Sequence, residues 1–233
     1  MNLLNLYNKV LDRLREERIN SAIIGTNPYY NSIGGHIEDA QRQVENAWQW
    51  SQLRQIDEIV VAQGQTNVVL PDSADNNYVI QRILIKENGA WLRWISDDQL
   101  ALWNSNVNQV PIQENYPGYY ATGLQDPTTG NQTIDIYQPP DMSYTLRVTS
   151  WHNQDPLVSA DDILKVPSLP VYTLATALAS RERGEVGGAP TSALFEQAQA
   201  HLSDAIAYDS ARYPEELDWH GGQIVPNTNV RNA

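Results

Sequence analysis

Residues 36–54 read HIEDAQRQVENAWQWSQLR and predict an amphipathic α-helix that begins near His36 and ends near Arg54. Apolar residues recur in this segment at the three- and four-residue spacing of one helix face. They are Ile37, Ala40, Val44, Ala47 and Trp48. Trp50 lies off this stripe and is available for a second contact. Because a helix with one apolar stripe must bury it against other elements, the segment predicts a larger helical body.

Three further helices are expected at the two ends of the chain. Residues 3–18 place Leu3, Tyr7, Val10 and Leu14 at helical spacing, and residues 20–35 predict a long connection between the first two helices. Ser168 is the expected N-cap of a third helix that ends near Arg183. A fourth helix is expected to start at Thr191 or Ser192 and to end near residue 209.

The middle of the chain has the composition of β-strands. Residues 55–157 are rich in Val, Ile and Tyr between clusters of turn residues. Asn88-Gly89 lies between Ile83–Ile85 and Trp91-Leu92, which predicts a two-residue type I′ hairpin. Roughly six to eight short antiparallel strands indicate a sandwich or a barrel.

These patterns predict an α+β fold. A four-helix bundle is formed by the N- and C-terminal helix pairs, an antiparallel β-sandwich or barrel lobe is inserted between them, and an extended tail follows. The expected divisions are residues 1–54 with 158–209 for the bundle, 55–157 for the β lobe and 210–233 for the C-terminal tail.

Composition and charge exclude several classes of protein. The chain of 233 residues has a formal net charge of −13 and no Cys, so it has no disulfide framework, thiol nucleophile or Cys-ligated metal site. The excess of acidic residues argues against a basic groove for nucleic acid. No segment has the uninterrupted apolar length of a signal sequence or a membrane span, so we expect no membrane association and synthesis in the cytoplasm.

Catalytic motifs are missing as well. The four His residues show no metal-binding spacing, and no phosphate-binding or nucleophile-elbow motif is present. The neighbouring carboxylates Asp97-Asp98 and Asp161-Asp162 fit the acidic first turn of a helix better than a glycosidase pair. We therefore expect no enzyme activity, no cofactor and no bound metal. Two alternatives stay open. One is a carbohydrate-binding tail or baseplate module that uses the aromatic residues Trp91, Trp94, Tyr116, Tyr119 and Tyr120. The other is an enzyme such as a virion glycosidase, which needs two carboxylates that face each other across a cleft.

Three segments resemble a known family of virion proteins. Residues 36–54 resemble the second helix of the head-to-tail adaptors (connectors) of tailed bacteriophages, and residues 4–17, LNLYNKVLDRLREE, resemble their first helix. Residues 179–188, ASRERGEVGG, are similar to the exit of their third helix. The three segments occur in the family's order, and the β region lies where the family has its own insert. The most similar members would be the adaptors like tail tubular protein A of short-tailed phages.

The resemblance implies a structural role in the virion. Such adaptors form a dodecameric ring under the portal protein, extend the DNA channel and recruit a nozzle or stopper protein. In short-tailed phages they also help to seat tail fibres. Genomic DNA passes through the ring without sequence-specific binding. The expected localisation is the head–tail interface of the virion, after synthesis in the host bacterial cytoplasm.

Candidate residues can be named for the portal contact, for the contact between ring subunits and for the channel lining. In the C-terminal tail, spaced apolar residues are the expected anchors on the portal: Tyr213, Leu217, Trp219, Ile224 and Val225. Tyr29, Tyr30 and Trp50 are expected at the contact between ring subunits. Residues 55–157 hold four basic and twelve acidic side chains, and acidic residues of this region are expected to line the channel and repel DNA phosphates. They are Asp57, Glu58, Asp72 and Asp75. The alternative that this acidity only keeps the protein soluble stays open.

Overall fold

A computed structural model of the chain describes residues 1–74, 78–105, 115–183 and 189–212. Within these ranges the chain forms five α-helices, seven β-strands and two short 3-10 turns. The helices are α1 (Leu3–Arg13), α2 (Pro28–Ala47), α3 (Asp97–Ser105), α4 (Ser168–Glu182) and α5 (Ala189–Arg212). The strands are β1 (Arg54–Val61), β2 (Asn67–Val69), β3 (Val79–Ile85), β4 (Ala90–Trp94), β5 (Tyr119–Thr122), β6 (Thr133–Tyr137) and β7 (Tyr144–Trp151).

Helix α4 lies at the centre of the helical part. It is buried around most of its circumference, including the polar side chains Thr173, Thr176 and Ser180. Thr173 and Thr176 satisfy their hydroxyls by donating to backbone carbonyls one turn earlier, so they are buried at little cost. Helices α1, α2 and α5 all pack on α4, and the resulting apolar core also includes Trp50 and Trp151.

The second helix begins eight residues earlier than the sequence pattern predicts. Asn27 caps it by accepting a hydrogen bond from the Tyr29 amide, and Pro28 occupies its first turn, where a missing N–H costs nothing. Gly34 lies inside the helix because a side chain there would collide with the Tyr7 hydroxyl of α1. The predicted long connection over residues 20–35 is therefore wrong in its second half.

The strands form one mixed sheet of order β1-β7-β3-β4-β5-β6-β2. All neighbours are antiparallel except β4 and β5, which pair parallel through Arg93 and Tyr119 and through Trp94 and Tyr120. The sheet curls into a nearly closed barrel around a second apolar core that receives residues from all seven strands. The purely antiparallel lobe predicted from the sequence is wrong at this parallel pair.

The β3–β4 hairpin occurs where it is predicted but has a longer loop. Ile85 pairs with Ala90, so four residues connect the strands, and only Gly89 among them has a positive φ, +71°. The two-residue type I′ turn predicted for Asn88-Gly89 needs a positive φ at both residues.

The four-helix bundle predicted from the sequence is wrong. The described part of the chain contains five helices, and α3 lies in the β region, where it contacts β5. The other helices do not surround a common axis, because α4 itself occupies the centre and is buried on several sides. The predicted tail, residues 210–233, begins within α5, and its residues 213–233 lie outside the described residues.

Candidate functional site

The outer side of the sheet carries the basic residues of the β region. Between residues 55 and 157 the chain has four Lys and Arg residues, and all four occupy outward positions on β3, β4 and β7 or at the end of β3. Each is next to an inward, buried residue, as Arg147 is next to Val148 and Arg93 is next to Leu92. Successive strand residues point to opposite faces. We call this surface the basic face; it consists of Arg82, Lys86, Arg93 and Arg147.

The charges of the basic face are only partly compensated. Glu58 is the one acidic strand residue on the outward side of β1, β7, β3 and β4, and it pairs with Lys86 at 2.7 Å rather than with Arg147 directly across the strand pair. Arg93 and Arg147 are exposed. Glu87, which follows Lys86, also lies beside these cations and accepts a hydrogen bond from the Thr145 amide at 2.9 Å. The basic face therefore combines four cations with two carboxylates, an excess of positive charge on one surface of an acidic protein.

Apolar and aromatic residues are interspersed with these cations. Trp91 on β4 is 51% exposed, and the Arg82 guanidinium lies over its ring at 5.1 Å from the centroid. Val60 and Ile56 on β1 are exposed on the same side of the sheet. A surface that combines Trp, Arg and aliphatic side chains has the composition of protein-binding surfaces.

The opposite part of the barrel is acidic. Helix α3 packs on β5, with Trp103 against Tyr119 and Tyr137. Four aspartates belong to α3, β6 and the β5–β6 connection; we call this surface the acidic side, and it consists of Asp97, Asp98, Asp126 and Asp135. Asp126 accepts hydrogen bonds from the amide and hydroxyl of Thr129, which lower the pKa of its carboxyl. No Lys or Arg lies in the described parts of α3, β5, β6, β2 or the β5–β6 connection.

Two clefts border the helical part, the second of them at its junction with β3 and β7. One of about 430 Å³ lies between Trp50, the start of α4 and the C-terminal half of α5, where Leu169 and Tyr208 are exposed. The other, of about 460 Å³, is lined by Trp48, Trp50, Trp151, His152 and Glu45 among others. Glu45 is only 3% exposed, Gln41 donates a hydrogen bond to it at 2.8 Å, and burial raises the pKa of its carboxyl.

The residues predicted at the subunit contact differ in accessibility. Trp50 is 1% exposed and its indole N–H donates to the Val44 carbonyl at 2.7 Å, so it belongs to the core and offers no surface to a neighbour. Tyr29 and Tyr30 are half-buried at the start of α2, with ring centroids 5.3 Å apart. The Arg183 guanidinium lies 5.0 Å from the Tyr29 ring centroid and pairs with Glu16.

The four acidic residues predicted to line a channel do not share one surface. Asp57 and Glu58 are neighbours on a strand and point to opposite sides; Asp57 is half-buried and Glu58 is paired with Lys86. Asp72 is exposed after β2 with a positive φ of +50°. Asp75 lies outside the described residues, as do the predicted portal anchors Tyr213, Leu217, Trp219, Ile224 and Val225.

The aromatic residues of the alternative carbohydrate site do not form one exposed face. Tyr120 is buried, Tyr119 packs against Trp103, and Tyr116 packs on Tyr144. Trp94 is exposed, but it lies three residues after Trp91 on β4, so the two side chains belong to opposite faces of the sheet. The described geometry therefore offers no continuous surface of exposed rings to a sugar.

Within the described residues, no three His, Asp or Glu side chains are grouped so that they could hold a metal ion. None of the helices in this part of the chain combines the length and apolar composition that a membrane span requires.

His36 on α2 contacts Glu182 on α4. The ring nitrogen Nε2 of His36 lies 2.5 Å from a carboxylate oxygen of Glu182, and hydrogen bonds from Ser32 and His36 lower the pKa of that carboxyl.

The basic face is a feature that sequence reasoning missed. Part of its signal was present, because Arg147 lies between two buried aliphatic residues and Arg82 and Arg93 each lie next to one. Only the strand order brings β7, β3 and β4 side by side.

Comparison with protein families gives a match for this chain. The sequence model of a family described as SU10 adaptor protein matches residues 1–222. No curated protein matches the chain.

Proposed function

Because the chain belongs to the SU10 adaptor protein family and is therefore a structural adaptor of a bacteriophage virion, we propose that it forms a ring under the portal protein. The ring extends the DNA channel and offers a platform to the next tail component, a nozzle or a stopper. The family match over residues 1–222 carries this proposal, because it spans both helical ends and the β region together. The finer assignment to adaptors like tail tubular protein A remains a prediction.

The contacts within the described chain support a rigid structural unit. Arg183 at the end of α4 pairs with Glu16 after α1 and lies over Tyr29, so two of the segments that resemble the adaptor family, residues 4–17 and 179–188, meet the start of α2 at one point. In the helical part, Tyr29 and Tyr30 remain the proposed contact with a neighbouring subunit. That contact does not include Trp50, which is buried.

We propose that the tail beyond α5 docks on the portal through Tyr213, Leu217, Trp219, Ile224 and Val225. Helix α5 ends at Arg212 beside the cleft that Leu169 and Tyr208 line, so the tail starts from an exposed apolar surface. A chain truncated after Arg212 should keep its helical circular dichroism and lose portal binding. Retained portal binding would contradict the assignment to the tail.

The division into residues 1–54 with 158–209, 55–157 and 210–233 also remains a proposal. An acidic channel lining is proposed only for Asp72 among the four candidates, because Asp72 is exposed without an ion pair among the described residues. A ring structure with Asp72 on its outer rim would refute that part.

Phage lacking the gene test the proposal as a whole. We expect heads that carry portal but no tail and that lose packaged DNA, and complementation with the full chain should restore both properties. A mutant phage with normal tails and retained DNA would contradict the proposed function.

A further inference from the structure

We propose that the basic face of one copy packs against the acidic side of the next copy, so that the β-barrels of neighbouring subunits are joined head to tail. This inference rests on the proposed ring and names the surfaces that close it. The basic face is Arg82, Lys86, Arg93 and Arg147, and the acidic side is Asp97, Asp98, Asp126 and Asp135.

The first argument is the segregation of charge within one barrel. All four cations of residues 55–157 lie on the outward side of β7, β3 and β4, whereas the described parts of α3, β5, β6 and β2 carry none. Solubility alone requires an excess of one charge but no confinement of the cations to one surface. Sorting of this kind gives electrostatic complementarity between two copies of one chain.

The second argument is topology. In the strand order β1-β7-β3-β4-β5-β6-β2, strand β4 separates the basic β7–β3 pair from the β5–β6 pair beside the aspartates. Because the sheet curls around one core, the outward side chains of these two pairs face different directions, and Arg93 on β4, which pairs with β5 and precedes α3, lies at the border between the two surfaces. A contact between two different surfaces of the same chain is heterologous, and repetition of such a contact closes a ring when the rotation permits it.

The third argument is the apolar content of the basic face. Val60 is 68% exposed and Trp91 is 51% exposed, and both lie among the cations. Near the acidic side, Leu124 beside the β5–β6 connection is 89% exposed. Exposed apolar side chains within a charged rim match the organisation of protein interfaces, where Trp and Arg carry much of the binding energy.

Charge favours a second copy over nucleic acid as the occupant of the basic face. The whole chain carries −13, so a neighbouring copy is itself an acidic partner. A DNA duplex that approaches the four cations would meet the repulsion of the chain's net negative charge. The interaction is therefore expected to be local, within about 8 Å at physiological salt, and to weaken as salt is raised.

Sedimentation velocity of the full chain tests the contact. Variant A carries Arg93→Glu and Arg147→Glu on the basic face, and variant B carries Asp98→Lys and Asp135→Lys on the acidic side. We expect wild type to self-associate at low salt and each variant alone to associate about tenfold more weakly. An equimolar mixture of A and B should regain association, because the intact acidic side of A meets the intact basic face of B. Circular dichroism confirms that both variants are folded.

A matched control separates the surface from net charge. Lys9→Glu with Arg15→Glu changes the net charge as much as variant A does, but at exposed positions in and just after α1. The control should self-associate as strongly as wild type, apart from the general repulsion that its added negative charge causes. Equal weakening in the control and in variant A, or a mixture of A and B no more associated than either alone, would overturn the inference. Salt-sensitive binding of a duplex oligonucleotide to wild type that variant A loses would assign the basic face to nucleic acid and overturn it too.

Electron microscopy of the same proteins mixed with portal separates this inference from the proposed function. If wild type adds a ring to the portal and variant A adds an identical ring, the named surfaces are wrong and the adaptor function stands. If wild type adds no ring, the proposed function fails, and the mixture of A and B still decides whether the two surfaces bind each other.

Discussion

Asp209 on α5 accepts hydrogen bonds from both the backbone amide and the hydroxyl of Ser51, at 3.0 and 2.6 Å. The same carboxylate accepts a third bond from the Trp48 indole N–H at 3.2 Å. Residues separated by 158 positions in sequence are thus joined where the chain leaves α2 and enters β1. Helix α5 is therefore hydrogen-bonded to the junction between the helical part and the sheet.

Replacement of Asp209 should destabilise the protein measurably. Asp209→Ala removes an ionised acceptor from three donors, and hydrogen bonds to charged groups each contribute about 1.5–3 kcal/mol in favourable cases. Because the site is only partly buried and the donors regain water, we expect a total loss of about 2 kcal/mol, measured by urea unfolding.

Asp204→Ala on the same helix is the control, because Asp204 is exposed and makes no hydrogen bond within the described residues. It should change the free energy of unfolding by less than about 0.5 kcal/mol. Equal effects of the two substitutions would show that Asp209 does not fasten α5.

Adjacent glycines in α2 should respond in opposite directions. Gly34→Ala places a methyl group against the Tyr7 hydroxyl, and because Tyr7 is buried its ring cannot move aside cheaply. We expect a loss of about 1–3 kcal/mol. Gly35→Ala meets no atom within 4 Å and should stabilise the helix by about 0.5–1 kcal/mol. Thermal melts of both variants check the prediction, and stabilisation by both would refute the close packing of α1 on α2.

The buried carboxyl of Glu45 predicts a specific pH dependence. Because burial raises its pKa in the folded state, this group contributes stability below its unfolded pKa, and that contribution is lost as pH rises through the folded value. Glu45→Gln keeps an oxygen for the Gln41 amide and cannot ionise. The stability of Glu45→Gln relative to wild type should therefore increase from pH 4 to pH 7. A difference that stays constant across urea titrations at several pH values would contradict the assignment.

Replacement of Trp50 by Ala and of Trp94 by Ala should have contrasting effects on stability. Trp50→Ala leaves a cavity in the helical core and frees the Val44 carbonyl, so we expect a loss of about 3–5 kcal/mol. Trp94→Ala removes a side chain that is 62% exposed and should cost less than about 1 kcal/mol. Calorimetric melting temperatures distinguish them, and a mild effect at Trp50 would mean that it is not a core residue.

The local elements of this fold were more predictable than their arrangement. The stripe Ile37, Ala40 and Val44 identified α2 because its period is visible in one segment, and the core contains all three residues. The start of α2 was missed because Gly34-Gly35 usually ends helices, and the reason for Gly34 lies in Tyr7 of another helix. The parallel pairing of β4 with β5 and the central position of α4 depend on contacts between distant segments.

The candidate surfaces were likewise predictable in their local features but not in their arrangement. Alternation along β7 indicates that Arg147 points outward, but only the sheet order places it on the same face as Arg82 of the neighbouring strand and Arg93 of the next strand. Trp50 was assigned to a subunit contact because it lies off the α2 stripe. It is buried instead because the chain turns after α2 and returns its indole N–H to the Val44 carbonyl.

Electron microscopy of the full chain mixed with its portal protein tests the central claim most directly. We predict a twelvefold layer of density added beneath the portal, coaxial with its channel and wide enough to pass a DNA duplex. Portal particles without the added layer, at protein concentrations that saturate any binding, would contradict the adaptor ring.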